Sequence, residues 1–140
     1  MTVSYFVTYQ GNAATSAAFV AYYLDRHVEL VRRFPGLRAL SVLTPLAYDD
    51  PYLGREQGPF LVAHMTFDDV PALERAVLSE ARLAARVDVG NFPPFEGRAT
   101  YQAMQDEYHA PLPLSPAASH APVCFLVTYR RPAENQATFV

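Results

Sequence analysis

The 140-residue chain carries 11 basic and 14 acidic side chains for a net charge of −3, and 51% of it is hydrophobic. That length suits one ordinary domain with its own core and hardly two. Nucleic acid is an unsuitable partner without a basic stripe, and no stretch reaches the ~18 apolar residues of a membrane span.

In chain order, residues 3–9 (VSYFVTY) are rich in β-branched and aromatic types and read as a strand. The opening MTVSYFVTY has no basic start or apolar signal core, and the single cysteine, Cys124, makes no internal disulfide; the expectation is a cytoplasmic protein. Residues 15–34 have helical period, with Phe19, Tyr23, His27, Leu30, Val31 and Phe34 on one face; Asn12 or Thr15 caps the start and Pro35-Gly36 ends it. A second strand follows at about 37–46, then a polar loop, AYDDPYLGREQG, over 47–58. The third strand, PFLVAHMTF at 59–67, is apolar at nearly every position, which predicts cover on both faces. Asp68 or Asp69 caps a helix from about Pro71 to Leu78, Ser79-Glu80 restarts it to about Val87, and 97–104 reads as a fourth strand.

The order β-α-β-β-α-β is the ferredoxin-like arrangement, an α+β fold with a four-stranded antiparallel sheet. Helices on one face leave the other face of the sheet, expected as an apolar one of Val, Phe and Leu, uncovered and in need of a partner, so the isolated monomer is not the expected state. Residues 105–122 hold four of the twelve prolines, a linker composition. Beyond the linker, residues 123–140 repeat residues 3–20 without a gap. Eight of eighteen positions match: Val3/Val123, Val7/Val127, Thr8/Thr128, Tyr9/Tyr129, Ala13/Ala133, Ala17/Ala137, Phe19/Phe139 and Val20/Val140. The expected organisation is therefore a domain over 1–104, a linker over 105–122, and the start of a second repeat over 123–140, in a tandem protein of which this chain is a portion. Shared β-propensity alone is the competing account. VCFLVTY at 123–129 is expected as a strand that shelters on a sheet edge or face, by exchange between two copies.

His27 follows Tyr23 by one helical turn and points into the apolar face, as a general acid/base lining a pocket or as a buried structural histidine. His64 interrupts the most apolar strand and needs a hydrogen-bond partner there; it faces either the pocket or a sheet interface. Tyr5, Tyr9, Tyr22 and Tyr23 read as aromatic walls with polar tips, and as core if they meet no ligand. Metal-ligand spacing, a serine nucleophile elbow and a Gly-rich phosphate loop are all missing from the sequence.

The VTYQG strand exit (7–11), Phe19-x-x-Tyr22-Tyr23-x-x-x-His27 followed by Leu30, FPGLRAL (34–40) and VAHMTFDDVPALERAVLS (62–79) together resemble the EthD-like proteins of the dimeric α/β-barrel superfamily. The family's first helix reads F-x-x-Y-W-x-x-x-H-x-P-L; here Tyr23 stands for the Trp and Glu29 for the Pro. The resemblance covers residues 3–104 and its beginning recurs at 123–140. It implies two sheets packed face to face, in a homodimer or in an intrachain pseudo-dimer with the second repeat, and a small-molecule pocket between sheet and helices. It carries His27 over as a proton-moving residue, with Phe19 and the helix tyrosines beside the substrate. Superfamily members act on hydrophobic ring compounds as cyclases, dehydratases, decarboxylases, isomerases and cofactor-independent monooxygenases. The function so implied is acid/base catalysis by His27 and His64 on a small apolar cyclic or polyketide-like molecule, with no metal or organic cofactor. A non-catalytic hydrophobic-ligand module and a haem-type or cofactor-free monooxygenase are the alternatives, the haem version being weakened by the total absence of Trp.

Overall fold

The computed structural model describes residues 2–12, 16–52, 58–107, 109 and 123–129, in two units, Met1–His109 and Ala110–Val140. In the first unit, β1 (Thr2–Gly11), β2 (Ala39–Leu43), β3 (Leu61–Phe67) and β4 (Gly97–Asp106) form one antiparallel sheet in the order β2-β3-β1-β4. With the helices between them, this is the ferredoxin-like α+β fold. Gly11 and Gly97 face each other where β1 and β4 close, and a Cβ on Gly97 would lie 1.9 Å from the Gln10 carbonyl oxygen. Only glycine lets the two backbones meet there.

Helix α1 (Ser16–Tyr22) runs through a π-helical turn (Tyr23–His27) into α2 (Val28–Val31). The buried residues of this rod, Phe19, Tyr23, His27 and Val31, are spaced by four each time. On a regular α-helix each step of four overshoots the axis by about 40°, so a strict four-residue row drifts off its face. The wider π turn takes back that drift between Tyr23 and His27 and returns the histidine to the side of the sheet. Gly36, at φ +75°, ends the segment in the left-handed conformation open to glycine.

Asp69 caps α3 (Val70–Val77) by accepting from the Ala72 amide, and Ser79 caps α4 (Glu80–Asp88) by accepting from the Arg82 amide; a 3-10 turn (Val89–Asn91) follows. Strand alternation then sorts the sheet into two faces. Val3, Tyr5, Val7 and Tyr9 of β1 share a face with Leu61, Ala63, Met65 and Phe67 of β3, and most of them join the helices in the core. Phe19 sits at the centre of its aromatic end, with the rings of Tyr9, Phe60, Phe92 and Phe95 at 4.8–5.1 Å.

The other face differs from expectation. It presents Ser4, Phe6, Thr8 and Gln10 of β1, Val62, His64 and Thr66 of β3, Ser41 and Leu43 of β2, and Thr100, Gln102 and Met104 of β4. Polar residues outnumber apolar ones, so this is no bare wall of Val, Phe and Leu. The isolated monomer is consequently less costly in water than the apolar-face argument required.

Residues 123–129 also depart from expectation: they carry no strand, and all seven are exposed. β-propensity describes how a side chain suits a pleated, half-buried surface, and without ladder partners it makes no strand. The remainder of the repeat, 130–140, and most of the linker lie outside the described residues.

Candidate functional site

His27 is 4% exposed, and its ring packs between Tyr23 and Phe92 with centroids 4.8 and 4.7 Å away. Its Nδ1 lies 2.8 Å from Asp88 Oδ2. An ionised carboxylate only accepts, so Nδ1 carries the proton and donates it to Asp88. Nε2 is left as the unprotonated nitrogen of the neutral ring. Asp88 is itself held from two further sides, Oδ1 accepting from the Tyr22 hydroxyl at 2.7 Å and from Asn91 Nδ2 at 3.1 Å.

These contacts decide the charges. Burial pushes the His27 imidazole below its ordinary pKa of 6.5, and the Asp88 hydrogen bond and charge only partly restore it, so the ring is neutral at pH 7. For Asp88, burial alone would raise the carboxyl; the donors His27, Tyr22 and Asn91 together outweigh it and hold the group below its ordinary value. The result is a neutral imidazole with a carboxylate behind it, ready to take up a proton whose charge Asp88 then balances.

His27 lines a cleft between the sheet and the helices, together with Tyr5, Tyr9, Tyr23, Arg82 and Tyr101 among its polar groups and Val7, Val31, Phe34 and Met65 among its apolar ones. The cleft is narrow, with a cavity volume of about 20 Å³. That is space for one or two waters at its narrow part. Burial raises the Tyr9 and Tyr23 phenols far above their ordinary range and Tyr5 less, so all three are neutral hydrogen-bonding groups. Among the described residues no three His, Cys, Asp or Glu side chains converge as a metal site, and no helix is long and apolar enough to cross a membrane.

The residues singled out from sequence divide. Tyr5, Tyr9, Tyr23 and His27 come together at the cleft. Phe19 does not line it; it is core beneath it. Tyr22 is no wall either, since its hydroxyl is spent on Asp88. His64 lies on the opposite face of the sheet, where Nε2 meets Ser4 Oγ at 2.9 Å and the ring stacks on Phe6 at 4.6 Å. Strand alternation puts it there: its register partners, Phe6 and Ser41, point away from the helices. It is therefore not a second group beside His27.

Asp88, Arg82 and Tyr101 are the members that sequence reasoning missed. The signal for the first two is their position on α4. An acid in the last turn and a base in the first turn both oppose the helix dipole. Glu80 and Arg86, in the same two turns, are placed the favourable way round.

No protein-family model matches the sequence, and no curated protein does. Solved structures do share its fold. An ethyl tert-butyl ether D (EthD) family protein from Bacillus halodurans is 23% identical, covers 76% of this chain and all of its own, and superposes with a TM-score of 0.59. SnoaB, a cofactor-independent oxygenase from Streptomyces nogalater, is 16% identical over 79% of this chain and 97% of its own, with a TM-score of 0.52. A dimeric protein of ferredoxin-like fold from Bacteroides fragilis is 10% identical over 75% and 96%, with a TM-score of 0.51. At these identities the likeness is one of fold, and on that fold this chain places a buried His27, paired with a half-buried Asp88, against a cleft between sheet and helices.

Proposed function

We propose that the chain is a small-molecule enzyme in which His27, backed by Asp88, removes and returns a proton on a largely apolar cyclic or polyketide-like substrate. The observation that carries this is the Nδ1–Asp88 contact of 2.8 Å on a ring that lines the cleft, which leaves Nε2 as a base. The substrate's C–H or O–H bond breaks, the proton goes to Nε2, and the electron pair stays on the substrate. The imidazolium formed keeps its hydrogen bond to the Asp88 carboxylate, which lowers the cost of charging a buried ring. Tyr5, Tyr9 and Tyr23 offer neutral hydroxyls that orient a flat ring among apolar neighbours.

Such a step serves isomerase, dehydratase and lyase chemistry alike. It also serves cofactor-free oxygenation, in which dioxygen meets the carbanion, the class to which SnoaB belongs. The same reading includes pairing of the sheet's second face with another copy, or with a second repeat begun at 123–140. A light-scattering mass of a single chain at micromolar concentration would remove that part alone.

Incubating the protein in D2O with a panel of cyclic ketones, β-diketones and phenols, and reading deuterium uptake by mass spectrometry, tests the chemistry. Accelerated exchange that disappears in His27→Ala is expected. The narrowness of the cleft favours one other reading, a binding module without catalysis; tight binding with exchange no faster than in buffer would establish that instead.

A further inference from the structure

Arg82 is the one lining residue with a fixed charge. Its guanidinium carbon lies 5.6 Å from the centroid of the Tyr101 ring, a cation–π distance, and its charge reaches the Tyr5 hydroxyl and lowers its pKa against the opposing effect of burial. Arg82 is half-buried, and among the described residues no carboxylate forms an ion pair with it. Tyr101 and Val89 are the exposed members of the lining.

A partly buried cation in the first turn of a helix is placed against both desolvation and the helix dipole. Nothing in the fold of α4 asks for it: the cap is made by Ser79 with the backbone amide of Arg82, which any residue but proline provides. The placement makes chemical sense if an anion completes the site. Arg82, the tyrosines and His27 line the same cleft, and the Arg82 charge reaches His27, where it disfavours the protonated ring, so a molecule that gives its proton to His27 leaves its new negative charge within the field of the guanidinium.

We propose that Arg82 is the anion-holding residue of this cleft, and that its ligands are small phenols, enols or β-dicarbonyl compounds whose oxygen carries negative charge once the proton has gone to His27. This deepens the acid/base reading and rests on it for the proton's destination. The guanidinium donates charge-assisted N–H···O hydrogen bonds to the oxyanion, and the Tyr5 hydroxyl stands beside it as a neutral donor. The other titratable groups around the cleft, Tyr9, Tyr23, Tyr101 and Asp88 behind His27, supply no second cation.

The test uses 4-nitrophenol, whose anion is coloured, and 4-nitroanisole, which has no acidic hydroxyl. Both are titrated into the wild-type chain, Arg82→Gln, Arg82→Lys and His27→Ala, with circular dichroism and thermal melts confirming that each variant folds. The wild type should bind the nitrophenolate more tightly than the anisole, and the bound dye should show its anion band at lower pH than the free dye. Arg82→Gln should weaken nitrophenolate binding about tenfold or more and cancel that displacement, with the anisole unaffected. Arg82→Lys should retain part of the affinity. Equal binding of the dye by Arg82→Gln and wild type overturns the proposal, as does a wild type that binds no dye or prefers the anisole. His27→Ala separates the two readings. If it keeps dye binding and also keeps deuterium exchange, the acid/base reading fails and the anion site stands; if exchange is lost while Arg82→Gln binds like wild type, only the anion site fails.

Discussion

The two histidines near the middle of this fold lie on opposite faces of one sheet and are held in opposite ways. His27 has a carboxylate on one nitrogen, a cleft beside the ring and aromatic neighbours at 4.7–4.8 Å. His64 has a serine hydroxyl on its Nε2 and stacks flat on Phe6. Burial depresses both imidazoles, so a depressed pKa alone does not distinguish a base from a structural residue. The difference lies in the partner. Asp88 supplies a hydrogen-bonded negative charge that stabilises the protonated ring, whereas Ser4 supplies His64 only a hydrogen bond, and the charge of Asp106 raises the His64 pKa without overcoming burial.

The comparison breaks most sharply on substitution. His27→Ala is expected to lower proton exchange on a bound substrate by about 10²–10⁴, the worth of one general acid/base, while His64→Ala leaves it within about threefold. Deuterium uptake measured on both variants checks this, and equal losses would erase the distinction between the faces. Asp88→Asn is expected to cost about 10²-fold or more, because the asparagine amide can donate to Nδ1 and fix the proton on Nε2, the wrong tautomer for a base. Nitrogen chemical shifts of His27 report the tautomer directly, and a wild-type pattern in Asp88→Asn would show that the carboxylate does not set it.

How much of this was legible in the sequence follows from what each signal physically encodes. Period and capping are local, so the element order, Asp69, Ser79 and the helix exit at Pro35-Gly36 were all readable. His27 was readable because two steps of four residues link it to Phe19, although the π turn that makes those steps work left no mark. Asp88 and Arg82 act across space on residues of other elements, and only their reversed placement on the α4 dipole hinted at them. The second face of the sheet was misjudged because β3 was read as a block. Alternation along β1 (Ser4, Phe6, Thr8, Gln10) already shows a mixed face.

The repeated heptads make the same point about tertiary context. Val3 and Tyr9 are 2% and 4% exposed in the centre of a sheet, while Val123 and Tyr129, their counterparts in a stretch identical at four of seven positions, are 76% and 69% exposed and outside any strand.

On the second face, the expected effects concern stability. His64→Ala leaves the Ser4 hydroxyl, itself buried, without its partner and removes the stacking surface of Phe6. A loss of about 1–3 kcal/mol is expected, read as a lowered Tm, with the Ser4→Ala/His64→Ala pair costing less than the sum of the singles. Additive losses would mean that the 2.9 Å contact contributes nothing.

The smallest effect is the pH dependence of stability, and its sign follows from the depressed imidazoles. A histidine whose folded-state pKa lies below its ordinary 6.5 binds a proton more readily when the chain is unfolded. Stability contributed by keeping the ring neutral is therefore complete above pH 6.5 and is lost as pH falls from there through the folded-state pKa. Asp88 works in a separate window: its carboxyl is held below its ordinary value, so its contribution persists until pH falls below about 3.8. Between pH 8 and 5 the change in Tm thus reports the histidines. His64→Phe, which keeps a ring on Phe6, should remove its own share and flatten the fall of Tm across that range. Asp88→Asn should steepen it, because a protonated His27 then lacks its counter-charge. Thermal melts of the three proteins from pH 8 to pH 5 decide it, and a steeper fall in His64→Phe than in Asp88→Asn would reverse the assignment of the charge partner to His27.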